Sequence, residues 1–469
     1  MIALTLSEIA AIVGGRLVLG SGDTVVDGSV ETDSRLVRPG SIFFALPGEV
    51  TDGRVFVPSA VENGAALVVA EDNLDTSIPL IVVADGVVAL ADLAREVVAR
   101  VRAGRGSERG MHVVGITGSN GKTSTKNMLR AILSDLGETV APEGSFNNHV
   151  GAPISMLRVT PDTEYLVVEM GASGSGEIAR LVSIAKPDTG VVLKVGLAHA
   201  GEFGGIEATQ RAKSEMVTDL PATATAVLNA DDFRVMAMAE QTAARVVTFG
   251  FGDAATYRAS DIDVVTSGTS FVLHAPGVTR PVHLRILGEH HVMNALAALT
   301  VVGEWGLDVS RAADVLEGVT RAERWRMEVL DGGDGVTVIN DAYNASPDSV
   351  AAALKTLAQI IGPDQRSVAV LGEMAELGEF AQEEHDRIGR LVVRLNIHKL
   401  VVVGDAARHV HMAAGLEGSW DGESILVPDI ESAYDLLKAD QRPGDVVLVK
   451  SSKSANLRFL GDRLAGVPA

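Results

Sequence analysis

No cysteine occurs among the 469 residues, which excludes disulfides, thiolate nucleophiles and cysteine-ligated metals. The chain also lacks a basic excess: 40 Lys and Arg stand against 61 Asp and Glu, a formal net charge of -21. A nucleic-acid partner needs a cationic footprint, so none is expected, and an anionic ligand must be met by local donors and metal ions. No stretch of about 18 uninterrupted apolar residues appears, so no membrane span is expected. The first residues carry no basic segment, and Glu8 interrupts the first apolar run. The expectation is a cytoplasmic protein without an export signal. Repeats and low-complexity segments are missing as well.

What is present suits a multidomain globular protein. At roughly 150 residues per domain the length predicts about three domains, and 46% hydrophobic residues is ample for their cores. The stretch Gly115-Ile116-Thr117-Gly118-Ser119-Asn120-Gly121-Lys122-Thr123-Ser124 organises the rest. It follows the apolar run Met111 to Ile116, read as a buried strand. It precedes Thr125 to Leu136, where Met128, Leu129, Ile132, Leu133 and Leu136 fall at helical spacing. Strand, glycine turn and helix start form a phosphate cradle. Gly118 and Gly121 let backbone N–H groups point inward, Lys122 can reach terminal phosphates, and the Thr123 hydroxyl can ligand Mg²⁺. The usual first glycine of this motif would fall at 116, where Ile stands.

In chain order, Thr5-Leu6-Ser7-Glu8 reads as a capping box opening a short helix that Gly14-Gly15 ends. Ser34 and Arg35, in Thr32-Asp33-Ser34-Arg35, read either as a diphosphate or uracil contact or as a turn with a surface arginine. Leu67 to Ala70 and Leu80 to Val83 read as strands, Ala89 to Val101 as a helix, and Ala103 to Gly110 as a linker. Alternating strands and helices then predict a mostly parallel sheet covered on both faces, with ligands at the carboxyl ends of its strands. Glu169 ends the apolar run Tyr165 to Val168, where a Mg²⁺ would need an oxygen ligand. His199 follows the strand Val191 to Val195 at the same rim, in a functional or a solvated role. By spacing alone Lys213 passes for a surface lysine, and Asn294 either reads a purine or caps and packs its helix. Past a boundary near Ala322, Asp341 ends a strand and either engages a ribose hydroxyl or caps the next helix. Lys450 and Lys453 at a later strand tip make either an anion site or solvated charge.

Taken together, several runs carry a family likeness. They are Thr117 to Thr123, Glu169-Met170-Gly171, Ala212-Lys213-Ser214-Glu215, Asn340-Asp341-Ala342-Tyr343-Asn344-Ala345 and Leu371-Gly372-Glu373-Met374-Ala375-Glu376-Leu377-Gly378. In these the chain resembles the Mur ligases of peptidoglycan synthesis over nearly its full length. The resemblance implies a three-domain α/β architecture. Residues 1–107 would bind the UDP substrate, 108–322 would form a central P-loop parallel-sheet ATPase domain, and 323–469 a Rossmann-like C-terminal domain. It also implies an ATP-dependent amide ligase, working as a monomer, that activates a carboxylate as an acyl phosphate and captures it with an amine. The last two runs point to the member that adds D-Ala-D-Ala to a UDP-linked muramoyl tripeptide.

By the same resemblance, Thr117, Gly118, Ser119, Asn120, Gly121, Lys122 and Thr123 would hold ATP, with Asn294 near adenine, Arg326 near the phosphates and Asp341 reaching the nucleotide. Thr123 and Glu169 would hold one Mg²⁺, and His199 with a carbamylated Lys213 a second. Lys122, Lys213 and His199 are thus the expected catalytic set. Ser34 and Arg35 match the UDP region, and Asn147 and Asn148 the loop facing the peptide. Three positions depart from the family pattern: His149 where an acid is usual, Ser451 where Gly is favoured, and Ser173-Gly174 in place of the commoner Asn-His. A sister ligase, a folylpolyglutamate synthase or a regulatory ATPase would share the cradle; the Asp-Asn-Pro-Arg run of diamino-acid selection is missing.

Overall fold

The computed structural model describes residues 1–468 except 49–50, 105–109, 198–203, 322 and 419. Its framework is three α/β sheets in chain order. The first runs Arg16–Leu19, Leu80–Val82, Leu67–Ala70, Ile42–Phe44, Val30–Glu31 and is parallel beyond its first pair. Before it, Thr5 caps the helix Leu6–Ile12 in the expected box, with Glu8 Oε2 accepting from Thr5 N at 2.9 Å. The helix after it, Gly86–Gly104, is longer than its periodicity suggested at both ends; at the start, Glu71 Oε1 accepts from Gly86 N and Asp85 caps Val87 N.

Among the described residues the central sheet has nine strands, in the order Val278–Leu284, Gly268–Ala275, Tyr257–Val265, Arg245–Gly250, Thr225–Asn229, Thr189–Val192, His112–Thr117, Tyr165–Glu169, Thr139–Val140. All pairs from Thr139–Val140 to Tyr257–Val265 are parallel. Their central strands are buried on both faces, which explains continuous apolar runs such as Leu166-Val167-Val168. The last three strands form an antiparallel meander that the sequence reading did not foresee. Its turns stand at Gly268 and Gly277, both with positive φ.

One face of this sheet is covered by Lys122–Ser134 and Glu289–Glu304, through Met128, Leu129, Ile132, Leu133 and Leu296. Burying each such side chain contributes about 1.5–3 kcal/mol. On the other face, Gly86–Gly104 packs on Gly151–Met156 and Glu177–Ala185, so the first unit shares a continuous core with the second. The third sheet runs Glu328–Asp331, Thr337–Asn340, Asp445–Lys450, Arg366–Leu371, Lys399–Val403, Glu423–Val427, parallel but for its first pair. Helices cover both its faces.

Among the described residues, no helix is long and apolar enough to cross a membrane.

Candidate active site

The topology brings one rim together. His112–Thr117 lies between Thr189–Val192 and Tyr165–Glu169, so the cradle, Glu169 and the Leu193–Gly196 segment all leave the sheet at its carboxyl edge. The helix begins at Lys122 rather than Thr125, placing Lys122 and Thr123 in its first turn with Gly121 as its N-cap. The unpaired N–H groups there and the helix dipole favour an anion. Gly118 and Gly121 hold φ of +151° and +89°. A β-carbon at Gly121 would lie 2.4 Å from Asn294 Oδ1, so the glycine is what lets the cradle and Asn294 approach.

Beside the cradle, the Thr123 hydroxyl donates to Glu169 Oε1 at 3.3 Å, and Asn147 Nδ2 donates to the same oxygen at 2.7 Å. Glu169 is 1% exposed, and its Oε2 has no partner. A buried carboxylate oxygen left alone is costly unless a cation or donor meets it. Thr123 and Glu169 therefore suit a hard cation, whose remaining oxygen ligands would come from phosphate and water. Among the described residues no group of three His, Asp or Glu converges as a metal cage. Lys122 Nζ donates to Gly118 O at 2.6 Å, and burial pushes its ammonium below the usual range, against the pull of Glu169. Asn120 Nδ2 and Arg326 Nε are buried without partners. The cavity of about 370 Å³ at this point is thus lined by Lys122, Arg326 and unspent donors, with the carboxylates Glu169, Glu177 and Glu376 on its wall as well, a set that fits a polyphosphate carrying a hard cation.

Lys213 is not a surface lysine. It is 2% exposed on Ile206–Thr218. Burial, with the Lys122 charge adding to it, lowers its ammonium to about 7. His199 lies outside the described residues, so its expected place at the rim has no structural counterpart here. Asn148 caps the backbone at Gly151 N, 2.8 Å, and lines the cavity with Asn147 and His149. Ser34 is buried, whereas the Arg35 side chain is 87% exposed and pairs with Asp33; the structure does not bring these two to the cradle.

The third sheet faces the cradle with its own carboxyl rim. Ser346 Oγ donates to Asn120 Oδ1 at 3.0 Å, Tyr343 OH to Ser145 Oγ at 3.2 Å, and Asn127 Nδ2 to Glu323 Oε2 at 3.0 Å. Arg326 lies over the Tyr343 ring at 4.5 Å. Lys450 and Lys453 do not act as a pair: Lys450 is buried against Asp341 Oδ2 at 2.6 Å, while Lys453 is exposed. Asp341 Oδ1 accepts from Met327 N at 3.1 Å. A neighbouring cavity of about 140 Å³ gathers Asn294, Asp341, Lys450, Arg326 and His291. Ser451 is fully buried and donates to Ser452 O.

Sequence reasoning missed Lys126 and His291. Lys126 is completely buried and donates to Pro142 O at 2.8 Å and Gly144 O at 2.9 Å, pinning the loop that carries Ser145 and Asn147. Its signal was a lysine one turn past Lys122 on an otherwise apolar face. His291 is buried with neither ring nitrogen partnered.

This arrangement matches known proteins along the whole chain. Residues 116–302 match the model of the Mur ligase middle domain, 325–453 that of the Mur ligase glutamate ligase domain, and 28–104 that of the Mur ligase family catalytic domain. The chain belongs to the Mur ligase family. Among similar Mur ligases is the UDP-N-acetylmuramoyl-tripeptide--D-alanyl-D-alanine ligase of Mycobacterium tuberculosis, 45% identical over 99% of this chain and 98% of that one. The enzyme of the same name from Escherichia coli is 33% identical over 97% of each. Of solved structures, MurF from Acinetobacter baumannii superposes with a TM-score of 0.89 at 29% identity, covering 99% of both chains. MurF from Thermotoga maritima in complex with ADP gives 0.80 at 28%, covering 93% of this Mur ligase and 97% of that chain. The three-domain Mur ligase architecture expected from the motifs is therefore the one observed.

Proposed function

We propose that this Mur ligase joins D-alanyl-D-alanine to the terminal carboxylate of UDP-N-acetylmuramoyl-tripeptide, cleaving ATP to ADP and phosphate. The carrying observation is full-length identity of 45% to enzymes of that name, which extends through all three units and not only the shared cradle. We read the domain limits as 1–107, 108–322 and 323–469, a reading supported by one large sheet within each, and the reaction as cytoplasmic because its substrates are nucleotides.

A carboxylate resists amines because its oxygen is a poor leaving group. A carboxylate oxygen of the tripeptide takes the terminal phosphoryl group of ATP, and ADP departs. The dipeptide nitrogen then attacks the acyl carbon, phosphate leaves, and the amine proton passes to solvent. The chain supplies positioning and charge rather than a nucleophile. Lys122, the cradle amides of residues 117–123 and Arg326 hold the phosphates, while Asn294 and Asp341 lie on the nucleoside side. Thr123 and Glu169 would hold Mg²⁺, which when bound neutralises phosphate charge. Asn147 and Asn148 face the peptide, and Ser34 and Arg35 lie on the first unit for the uridine diphosphate. Lys213 is read as carbamylated: its buried amine adds to CO₂ with loss of a proton, giving an anion for a second metal together with His199.

The test is sustained phosphate release that depends on both the UDP-tripeptide and the dipeptide. Sustained release over many turnovers without the dipeptide would favour a regulatory ATPase, and a single amino acid serving equally well would favour a sister ligase.

A further inference from the structure

The segment Arg324 to Met327 is strained around the one residue it delivers. Trp325 and Met327 hold φ of +57° and +50°. For bulky L-residues such backbone persists only where the surroundings over-determine it. Between them stands Arg326, which reaches both cavities and rests on Tyr343. Its Nε is buried and without a partner, a donor left over beside the cavities where the phosphates are proposed to lie.

The strain is held from several sides. Glu328 Oε2 accepts from Trp325 N at 2.9 Å, and Asp341 Oδ1 accepts from Met327 N. Asp462, on the last helix Leu457–Leu464, lines neither cavity and is 3% exposed. Its carboxylate nevertheless takes three donors: Trp325 Nε1 at 2.9 Å, Arg324 Nη2 at 2.9 Å and Asn340 Nδ2 at 3.0 Å. The Arg458 guanidinium lies over the rings of Trp325 and Phe459, at 5.5 Å and 4.4 Å. A buried carboxylate met by a guanidinium and two neutral donors fixes direction better than an amide, which offers one acceptor and no charge.

We propose that Asp462 is a positioning residue: by anchoring the Trp325 indole and the Arg324 guanidinium it sets the strained turn that aims Arg326 at the nucleotide phosphates. This rests on the reading of Arg326 given above. A purely structural role, stitching the last helix to the sheet, would weaken the fold without acting through Arg326.

The experiment is a double-mutant cycle on the full-length protein, reading ADP affinity by calorimetry and the KM for each substrate. Asp462→Asn is expected to weaken ADP binding and raise the KM for ATP by about tenfold, while the KM for UDP-tripeptide and for the dipeptide moves less than about twofold. Placed on Arg326→Ala, it is expected to add less than about twofold, because its target is gone. Trp325→Phe, which keeps an aromatic ring but removes the indole N–H together with the five-membered half of the indole, is expected to show the same pattern and serves if Asp462→Asn does not fold. Losses that multiply in the cycle, or unchanged ADP affinity in the folded variants, would overturn the inference while wild-type binding upholds the proposed function. A wild-type protein that binds no ADP would sink that function first, and this inference with it.

Discussion

Gly121→Ala probes the cradle most simply. The change forces an L-residue to φ +89°, at about 1–2 kcal/mol. It also sets a methyl group 2.4 Å from Asn294 Oδ1. Asn294 is buried on Glu289–Glu304, and its side chain must turn toward the cavity of about 140 Å³ to clear the methyl group, so the overlap adds about 1–3 kcal/mol. We expect a total of about 2–5 kcal/mol, divided between a lower melting temperature and ADP binding at least tenfold weaker. Adding Asn294→Ala removes the overlap and leaves the backbone strain. Measured against Asn294→Ala alone, Gly121→Ala should then cost only about 1–2 kcal/mol. Calorimetric ADP titration and scanning calorimetry on the four proteins give both numbers. Wild-type melting and ADP affinity in Gly121→Ala would refute the reasoning, as would an equal cost of the change with and without Asn294.

Other expectations follow from buried groups. Lys126→Met orphans Pro142 O and Gly144 O and should destabilise by about 2–4 kcal/mol, with the loop carrying Asn147 losing protection in hydrogen exchange. Burial, with His290 and Arg326 adding to it, holds His291 well below 6.5. Below pH 6.5 the unfolded chain binds a proton that the folded one refuses, so stability falls with pH by about 1.4 kcal/mol per unit until the folded group titrates. His290, pushed down to about 4, acts in the same sense. His291→Leu should remove its share of that slope in melts taken between pH 6.5 and 4.5. Glu169→Gln removes the charge that suits the cation, so activity should fall at least about a hundredfold and the Mg²⁺ needed for half-maximal rate should rise. Lys213→Arg keeps a cation but cannot add CO₂; it should be inactive and lack the carbamate signal that ¹³CO₂ gives in wild-type NMR spectra.

The cradle, the rim position of Glu169 and the alternating α/β order were legible because each is a local pattern: an apolar run, a turn, a helical face. The burial of Lys213 was not, since spacing along Ile206–Thr218 shows where a side chain points but not what covers it, and only the likeness of Ala212-Lys213-Ser214-Glu215 singled the residue out. The Asp341–Lys450 pair escaped for a related reason. Its members lie 109 residues apart and meet only because Thr337–Asn340 and Asp445–Lys450 are neighbours in the sheet. Asp462, 137 residues from Trp325, is another such case. The meander after Arg245–Gly250 was readable from its glycine turns, yet the helix–strand rhythm before it argued for continuation instead.

The most direct measurement is the stoichiometry of one reaction: purified protein, Mg²⁺, ATP, UDP-N-acetylmuramoyl-tripeptide and D-Ala-D-Ala, with ADP and the nucleotide product quantified together by mass spectrometry. A ligase working through an acyl phosphate predicts one ADP per UDP-linked pentapeptide over many turnovers, no product without ATP or the tripeptide, and at most one ADP per enzyme when the dipeptide is withheld. ADP accumulating over many turnovers without the dipeptide, or no pentapeptide from the complete mixture, would contradict the account.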